Sequence, residues 1–393
     1  MITQATPERS FEDVAVQGPF ARWRHRHAFA PHAEGTELQD EIHWALPGGV
    51  AGDLVAGRWA EEELLRMLRW RHAVTRLDLA RWAALHPGRS LRVAVTGASG
   101  LVGSALCDVL RAGGHEVVPL VRRAALAGEL AWDPARGQLD PTALEGLDGV
   151  VHLAGAPIAQ RWTPAGREAI VRSRVEGTTT VARALATCRR PPPVLVSASA
   201  VGVYGHRHDA VDEDAAAGAG FLADTGQAWE AAAQPAREAG LRVVHPRIGI
   251  VQSARGGALG VLLPLARLGL AGRLGTGRQA LPWIALDDLV WVLITALLDS
   301  RLEGPVNAVA PERVDQATHA ATLARVLRRP LQLPAPALAV RALLGERGQA
   351  LLLEGAPVVP ARLDALGFPW ALPTLEGALR HELGLPHPED PRR

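Results

Sequence analysis

A glycine-rich segment directly after a short apolar run holds the residues best suited to bind an anion. Its glycines follow the spacing G-x-x-G-x-x-G, between a strand-like segment at 91–95 and a helix-like segment at 101–112. Gly97 suits a tight turn, Gly100 lets backbone N–H groups approach a pyrophosphate, and Gly103 lets helix and strand pack closely. The helix N-terminus adds about half a positive charge facing the anion. We therefore predict a dinucleotide-binding turn, with a purely structural glycine turn as the alternative; the contacts are expected from Thr96, Gly97, Ser99, Gly100, Leu101, Val102 and Gly103.

Two arginines end the next predicted strand. An NAD site usually has Asp or Glu there, about 20 residues past the glycines, to bind the ribose hydroxyls. This chain has Arg122 and Arg123 instead. Two guanidinium groups suit a 2′-phosphate, so we predict that NADP(H) is preferred, with NAD(H) as the second choice. The alternative is that one or both arginines are solvated surface charges.

The inventory of charged and phenolic side chains limits the chemistry. All 42 residues counted as Lys+Arg are arginines, and Tyr204 is the single tyrosine. Schiff-base lysines, Walker-type phosphate lysines and lysine general bases are therefore excluded. Tyr204 is the only phenol available for proton transfer.

Charge, cysteines and hydropathy point to an ordinary globular protein of the cytoplasm. The net charge of +1 gives no basic field for nucleic acid. Cys107 and Cys188 are far apart, which argues against a disulfide framework. No apolar run reaches about 18 residues and the N-terminal segment does not resemble a signal peptide, so no membrane partner is expected. The spacing of His206 and His208, beside Asp209, could suit a metal ion, but no third ligand is apparent. We therefore interpret this segment as an exposed loop and predict no metal site. A homodimer is left open.

Alternating strand and helix patterns from residue 91 onward predict the architecture. Strand-like runs lie at 91–95, 116–121, 149–153, 194–197 and 241–245, with helix-like segments at 101–112 and 165–188. Repeated βα units imply a parallel sheet with helices on both faces. The fold class is therefore α/β: a Rossmann-like doubly wound parallel sheet, with a small, mostly helical C-terminal substrate region and an N-terminal α+β half-domain.

The N-terminal part has a different character, and Pro87-Gly88 separates it from the rest. Alternation predicts strands at 20–29 and 36–46, and an apolar stripe predicts a helix over 61–85. After about residue 304 the chain is rich in Leu, Ala and Pro and mostly helical. We predict domains at 1–88, 89–303 and 304–393.

These motifs together resemble the short-chain dehydrogenase/reductase superfamily, in its extended or atypical branch. The likeness rests on the glycine turn, on His152-Leu153-Ala154-Gly155-Ala156, and on the segment from Ser197 through Ser199 to Tyr204-Gly205. More narrowly, it resembles bacterial epimerase-like proteins with a C-terminal helical domain of unknown function. The narrower likeness includes Ala131-Trp132-Asp133-Pro134, Ser173-Arg174, Trp229-Glu230, Arg247-Ile248-Gly249, Gln279, Trp283 and Asp287-Asp288.

The resemblance implies further site residues. Leu153, Ala154, Gly155, Ser197, His245 and Arg247 would face the cofactor, and Ala156, Gln279 and Trp283 the substrate. Arg247 could also bind an anionic substrate group, and His245 could move a proton. A structural histidine is the alternative for His245, and a packing role is the alternative for Trp283.

The chain departs from the superfamily at its usual catalytic pair, a Tyr followed four residues later by a Lys. Aligning Glu230 with the acidic residue that normally follows places Leu222 and Gly226 at those positions. Ser199 and Tyr204 remain as candidate catalytic residues, Ser199 to orient the substrate and Tyr204 or a water to handle the proton. A tyrosine without a lysine keeps a pKa near 10, so packing in its turn is the alternative for Tyr204.

The N-terminal segment 1–85 resembles the back half of a START-like (polyketide cyclase-like) domain, through Gly18 to Trp23 and the helix carrying Arg71-His72 and Asp78-Leu79.

The motifs of the whole chain are compatible with three functions. The first is an NADP(H)-dependent oxidoreductase or epimerase-like enzyme acting on a small carbonyl, alcohol or sugar-nucleotide-like substrate. The second is a nucleotide-sensing binding protein without turnover. The third is ligand binding by the N-terminal fragment.

Overall fold

A computed structural model describes residues 1–33, 35–85, 88–329 and 333–386. The chain divides into two compact units, Met1–Arg71 and His72–Arg393. The domain limits predicted at residues 88 and 303 stay predictions. Pro87, which with Gly88 marks the first of these limits in the sequence, lies outside the described residues.

The first unit is built on an antiparallel sheet of four strands in sequential order. Two strands predicted from alternation are present, and two short strands precede them. The strands are β1 (Ile2–Thr6), β2 (Ser10–Val14), β3 (Arg22–His32) and β4 (Gly35–Ala45). The chain continues through α1 (Val50–Gly52) and a π-helical turn (Asp53–Gly57) into α2 (Arg58–Leu85), which belongs to this unit as far as Arg71.

The second unit contains a sheet in which every pairing is parallel. The strands of this unit are β5 (Arg92–Thr96), β6 (Glu116–Val121), β7 (Leu130–Ala131), β8 (Gly149–His152), β9 (Val194–Ser197), β10 (Ser199–Ala200), β11 (Arg242–Ile248), β12 (Ile250–Gln252), β13 (Trp283–Ala285) and β14 (Gly304–Ala308). The order in the sheet is β7-β6-β5-β8-β9-β11-β14, and β10 extends β9 along β11. Two further strands, β12 and β13, form a separate parallel pair.

Helices cover both faces of this sheet, as the βα pattern predicts. The helices of this unit are α3 (Leu101–Ala112), α4 (Pro164–Thr187), α5 (Phe221–Ala231), α6 (Gln234–Glu238), α7 (Gly257–Arg267), α8 (Leu286–Leu298), α9 (Gln316–Leu327), α10 (Ala337–Gly348), α11 (Ala361–Leu366) and α12 (Leu375–Glu382). Side chains of β5 alternate between two cores: Val93 and Val95 pack with α3 and α8, and Ala94 packs with α4 and α6. The doubly wound α/β class and the helical C-terminal region are confirmed.

Helix length and hydropathy bear on membrane association. Among the helices of the described residues, none combines the length and the apolar character needed to cross a bilayer.

A buried carboxyl group in α12 should make the stability of the second unit depend on pH. Burial, reinforced by the charge of Asp287, raises the pKa of Glu382 from 4.5 to about 7. Its Oε2 accepts a hydrogen bond from the backbone N–H of Ala254, 3.0 Å away. The folded chain keeps this proton up to about pH 7, whereas the unfolded chain releases it near 4.5. The stability gained from this group is therefore complete below 4.5 and is lost as the pH rises through 7.

We expect Glu382→Gln to raise the free energy of unfolding at pH 8 by on the order of 2 kcal/mol and to change it little at pH 4.5. Denaturant unfolding of both proteins at the two pH values measures the difference. Glu376→Gln on the same helix is the control, because Arg380 and Arg325 hold the pKa of Glu376 below its usual value. That variant should gain nothing at pH 8, and an equal gain in both variants would contradict the prediction.

Candidate functional site

The glycine turn joins β5 to α3 with no room for larger residues. Gly97 has a φ of +69°, and a Cβ there would lie 3.0 Å from the carbonyl carbon of Leu153. A Cβ on Gly103 would lie only 2.1 Å from the carbonyl oxygen of Gly97. These two positions therefore need glycine, for the left-handed turn and for the close approach of the helix.

The start of α3 leaves donors for an anion. Gly100 is its N-cap, and no side chain caps the helix. The N–H of Gly100 donates to the carbonyl of Gly97, and the N–H of Ser104 donates to the carbonyl of Gly100. The amides between them, including those of Leu101 and Val102, belong to the first turn and point along the helix axis, and no side chain of the described residues accepts from them. Ser99 lies in the turn just before the cap. An uncapped helix N-terminus after a tight turn is the arrangement that binds phosphate groups.

Thr96 fixes the neighbouring loop against this turn. Its Oγ1 accepts hydrogen bonds from the N–H groups of Leu153 (3.0 Å) and Ala154 (3.1 Å) and lies 2.8 Å from Nδ1 of His152. Both lone pairs of the hydroxyl are used, so its proton must go to Nδ1. Burial lowers the pKa of His152 to about 4, so this histidine is neutral near pH 7. The structure therefore brings the turn and the 153–155 loop together at the ends of β5 and β8.

The two arginines after β6 have different partners. Arg123 makes a bidentate ion pair with Glu129, with both N–O distances at 2.7 Å. Arg122 is exposed, and among the described residues no acceptor engages its side chain. The pair fixes the loop at 123–129, and Arg122 alone keeps all its donors for a ligand.

Five polar side chains form one buried network at the carboxyl edge of the sheet. Glu230 on α5 makes a bidentate ion pair with Arg247 on β11, at 2.8 and 2.9 Å, and accepts a hydrogen bond from Ser199 at 2.7 Å. Arg247 also donates to the Tyr204 hydroxyl, which donates to Asn307 on β14 at 2.7 Å. Burial acts to raise the pKa of Glu230, but the hydrogen bond and charge of Arg247 hold it below its usual value. Arg247 is thus neutralised within the protein.

Tyr204 is completely buried in this network. Burial raises the pKa of its hydroxyl above 10, and the hydrogen bond from Arg247 only partly opposes this. One hydrogen bond is received and the proton is given to Asn307, both within the protein. This placement favours the packing alternative for Tyr204.

His245 and Ser197 lie together in the sheet with unused polar atoms. His245 Nδ1 is 3.1 Å from the Ser197 carbonyl oxygen, so it carries the proton and donates. Burial lowers the pKa of His245 to about 4, so the ring is neutral near pH 7. Its Nε2 and the Ser197 hydroxyl have no partner among the described residues. Both atoms are buried and have no hydrogen bond within the described protein.

The three residues predicted to face the substrate make hydrogen bonds within the protein. The backbone N–H of Ala156 donates to the Oγ of Ser173, 2.9 Å away. Gln279 donates to two backbone carbonyls, Leu274 at 3.2 Å and Leu352 at 2.7 Å. Trp283 is 1% exposed, and its indole N–H donates to a backbone carbonyl of the loop after β14. This placement favours the packing role that was the alternative for Trp283.

A cavity of about 670 Å³ opens beside this edge. Leu222 and Gly226, at the positions of the usual catalytic pair, line it together with Trp229 of the same helix. The 3₁₀ turn after β10, the loop before α4 and residues 349–351 and 354–356 of the C-terminal region contribute to its walls. Ser199 and Tyr204 are absent from the lining formed by the described residues, although Ala200, next to Ser199, belongs to it.

Histidines provide two further clusters. His206 bonds through Nδ1 to the backbone of Gly355, and Asp209 pairs with Arg207 rather than with a histidine. In the first unit, donor atoms of Asp13, His25 and His27 lie within 4.8 Å of one another, close enough for one metal ion. Because His25 and His27 are two residues apart on β3, they lie on one face of the strand. This spacing was the signal in the sequence for a shared metal site, and no role was predicted from it.

Family comparisons agree with this geometry. The profile of the NAD dependent epimerase/dehydratase family matches residues 93–308, and a Domain of unknown function (DUF1731) matches residues 335–382. The chain belongs to this epimerase/dehydratase family. The resemblance to the short-chain dehydrogenase/reductase superfamily is confirmed, and the START-like likeness of the segment 1–85 stays a prediction.

Relatives of this family cover most of the chain. Epimerase family protein Mb2239 of Mycobacterium bovis is 43% identical over 73% of this chain and 96% of its own length. A nucleoside-diphosphate sugar epimerase of Corynebacterium glutamicum matches with a TM-score of 0.79 and 33% identity, over 96% of this chain and 75% of that one. Human epimerase family protein SDR39U1, solved with NADPH, matches with a TM-score of 0.70 and 34% identity, over 75% of this chain and 99% of that one.

Two residues of the site were given no role by the sequence interpretation. Glu230 served only as an alignment anchor, and Arg174 only as part of the family likeness. Arg174 projects from α4 against the loop after β8, where its Nη1 donates to the carbonyls of Ala156 at 3.0 Å and Ile170 at 3.1 Å. The sequence shows that both residues are charged. It does not show their partners, because Arg247, which pairs with Glu230, and Ala156, which accepts from Arg174, lie on other elements of the fold.

Proposed function

We propose that the chain is an NADP(H)-binding oxidoreductase or epimerase-like protein that acts on a small carbonyl, alcohol or sugar-nucleotide-like substrate without the usual Tyr–Lys pair. The observation that carries the proposal is the uncapped glycine turn at β5–α3, with the unpaired Arg122 at the end of the adjacent strand β6. A relative solved with NADPH supports the same cofactor.

The residues present fit a dinucleotide. The backbone amides of 97–103 would hold the pyrophosphate, because a Cβ at Gly103 would collide with the turn and no side chain competes for the helix N-terminus. Arg122 would bind the 2′-phosphate, while Arg123 stabilises the loop through Glu129. The loop at 153–155, fixed by Thr96, would form the wall beside the ribose. The free Ser197 hydroxyl and His245 Nε2 would supply further polar contacts.

A bound nicotinamide would supply or accept the hydride. The chain's own groups would position the other reactant. The Ser199 proton is donated to Glu230, so its hydroxyl would accept a hydrogen bond from a substrate alcohol and orient it. With Tyr204 bound to Asn307 and Leu222 and Gly226 lacking an acid, a water in the cavity would carry the proton.

Cofactor titration is the first test. We expect NADPH to bind the wild-type chain more tightly than NADH, measured by the change in nicotinamide fluorescence on binding. If neither dinucleotide binds, the proposal and its interpretation of the glycine turn are both wrong.

Turnover then separates the roles of the two candidate catalytic residues. Ser199→Ala should slow NADP⁺ reduction with an alcohol substrate about tenfold, because the substrate hydroxyl loses the one hydrogen bond that the Ser199 oxygen accepts. Tyr204→Phe should change the rate less than about twofold but lower the free energy of unfolding by about 1–2 kcal/mol, because Arg247 and Asn307 lose a buried partner. A large rate loss in Tyr204→Phe with unchanged stability would instead assign proton transfer to Tyr204.

A nucleotide-sensing binding protein without turnover is the second candidate. It is favoured by one observation: in the described structure both Ser199 and Tyr204 are at most 2% exposed and bonded to protein groups. This function predicts NADPH binding with no oxidation across a panel of aldehydes, ketones and keto acids, whereas the enzyme function predicts oxidation of at least one.

A further inference from the structure

One arginine at the cavity is shielded from water without a counter-ion. Among the described residues of the second unit, the two arginines classed as buried have carboxylate partners: Arg247 pairs with Glu230, and Arg81 pairs with Asp288. Arg174 is half-buried, and no carboxylate among the described residues lies within ion-pair distance of it. A guanidinium removed from water without a counter-ion is energetically unfavourable, and burial accordingly lowers the pKa of Arg174.

A second half-buried arginine shows how such a group is otherwise satisfied. Burial also lowers the pKa of Arg242, which has no carboxylate at ion-pair distance within the described part of the chain. Both of its Nη atoms are used, however, because together they donate to three backbone carbonyls at 2.7–2.9 Å. The protein itself therefore compensates Arg242, and it does not do the same for Arg174.

Arg174 lines the cavity and has donors that no described protein group uses. Its two protein hydrogen bonds both use Nη1, so Nε and Nη2 have no acceptor among the described residues. The guanidinium carbon lies 4.9 Å from the ring centre of Trp229, and both residues line the cavity. The aromatic face holds the planar group in place, which leaves one edge of the fork for a ligand.

The other ionisable groups of the cavity wall already have protein partners. Glu346 forms an ion pair with Arg167, and Glu354 accepts a hydrogen bond from the Gln349 amide at 2.7 Å. His206 is bonded to the backbone of Gly355. Arg174 is therefore the one guanidinium on the described wall, and its free edge is the natural point of attachment for an anion.

The remaining wall is largely apolar and aromatic. Ile158, Trp162, Phe221, Leu222 and Trp229 all line the cavity. Such walls stabilise a ligand by burial of apolar surface and supply few hydrogen bonds to sugar hydroxyls. A nucleotide sugar carries two phosphate charges and many hydroxyls, which this wall does not match.

We propose that the cavity binds a small molecule with an apolar body and one carboxylate group, and that Arg174 pairs with the carboxylate through Nε and Nη2. A carboxylate matches the planar fork with two parallel hydrogen bonds and supplies the missing counter-charge. The proposal rests on the proposed function only in taking this cavity as the substrate site. It makes Arg174 a determinant of substrate class.

Benzoate and benzamide test the charge requirement, because they share a shape and differ in charge. We expect calorimetric titration of the full chain, with and without saturating NADP⁺, to show benzoate binding at least tenfold more tightly than benzamide. Arg174→Gln should abolish that preference. Arg172→Gln is the matched control, since Arg172 is exposed on the same helix and its ion pairs in the described structure are with Glu168 and Glu176; it should bind both probes as the wild type does.

The outcomes separate this inference from the proposed function. Equal binding of the two probes to the wild type, an unchanged preference in Arg174→Gln, or tighter binding of UDP than of benzoate would each overturn the inference. So would a loss of NADPH affinity in Arg174→Gln with benzoate affinity retained, because the guanidinium would then serve the cofactor. A benzoate preference in a chain that binds neither NADPH nor NADH would support the inference and contradict the proposed function. Circular dichroism of each variant verifies folding, and Arg174→Met serves as the replacement if the glutamine variant does not fold.

Discussion

Replacing Arg122 by serine should lower the affinity for NADPH about 100-fold and leave the affinity for NADH nearly unchanged. Arg122 is exposed at the end of β6, and no side chain or backbone group of the described residues uses its donors. A 2′-phosphate would receive charge-assisted hydrogen bonds from it, worth about 1.5–3 kcal/mol each. Loss of about 2.7 kcal/mol corresponds to a factor of 100 in the dissociation constant. Parallel fluorescence titrations of the two dinucleotides give the ratio directly.

Arg123→Ser is the matched comparison for this change. Arg123 has the same charge and the neighbouring position, but both of its Nη atoms bind Glu129 at 2.7 Å. Its loss should loosen the loop at 123–129 and weaken both dinucleotides by a similar, smaller factor. If Arg123→Ser removes the NADPH preference and Arg122→Ser does not, our assignment of the phosphate contact is reversed.

Local patterns were sufficient to predict the sheet and the turn. The glycine spacing, the helix at 101–112 and the strands at 116–121 and 194–197 follow from residues close in sequence, and the structure has them at those bounds. Turn chemistry and periodicity depend on neighbours within a short stretch of chain, so one sequence contains them. The short strands β1 and β2 were missed because they are brief and rich in polar residues, which leaves little alternation to detect.

Long-range pairing explains what the sequence did not predict. Arg247 was expected to face a ligand, but Glu230 on the preceding helix α5 neutralises it. Tyr204 was expected at the edge of the sheet, where Asn307 on the distant strand β14 binds its hydroxyl. Conversely, Arg174 was given no role because nothing local shows that its guanidinium lacks a counter-ion. Which charges are paired depends on the folded chain, so it is accessible only once the elements have been placed.

The Glu230–Arg247 pair connects α5 to β11, and its removal should have the largest effect on stability. The side chains of Glu230 and Arg247 are only 15% and 10% exposed. Each carboxylate oxygen accepts from the guanidinium, at 2.8 and 2.9 Å, and Oε1 also accepts from Ser199. Removing one partner of a buried pair leaves the other charge without compensation, which costs about 3–5 kcal/mol.

We therefore expect Glu230→Met to lower the free energy of unfolding by about 3–5 kcal/mol, measured by urea denaturation. Arg247→Met together with Glu230→Met should lose much less, because no unpaired charge then remains and the methionines fill similar volume. Glu168→Gln, which removes an exposed partner of Arg172 on α4, should change stability by less than about 1 kcal/mol and controls for loss of a carboxylate as such. If the single and double variants are equally destabilised, the loss comes from the contacts of Glu230 with Ser199 and the surrounding helix, and the charge-pairing explanation of this network fails.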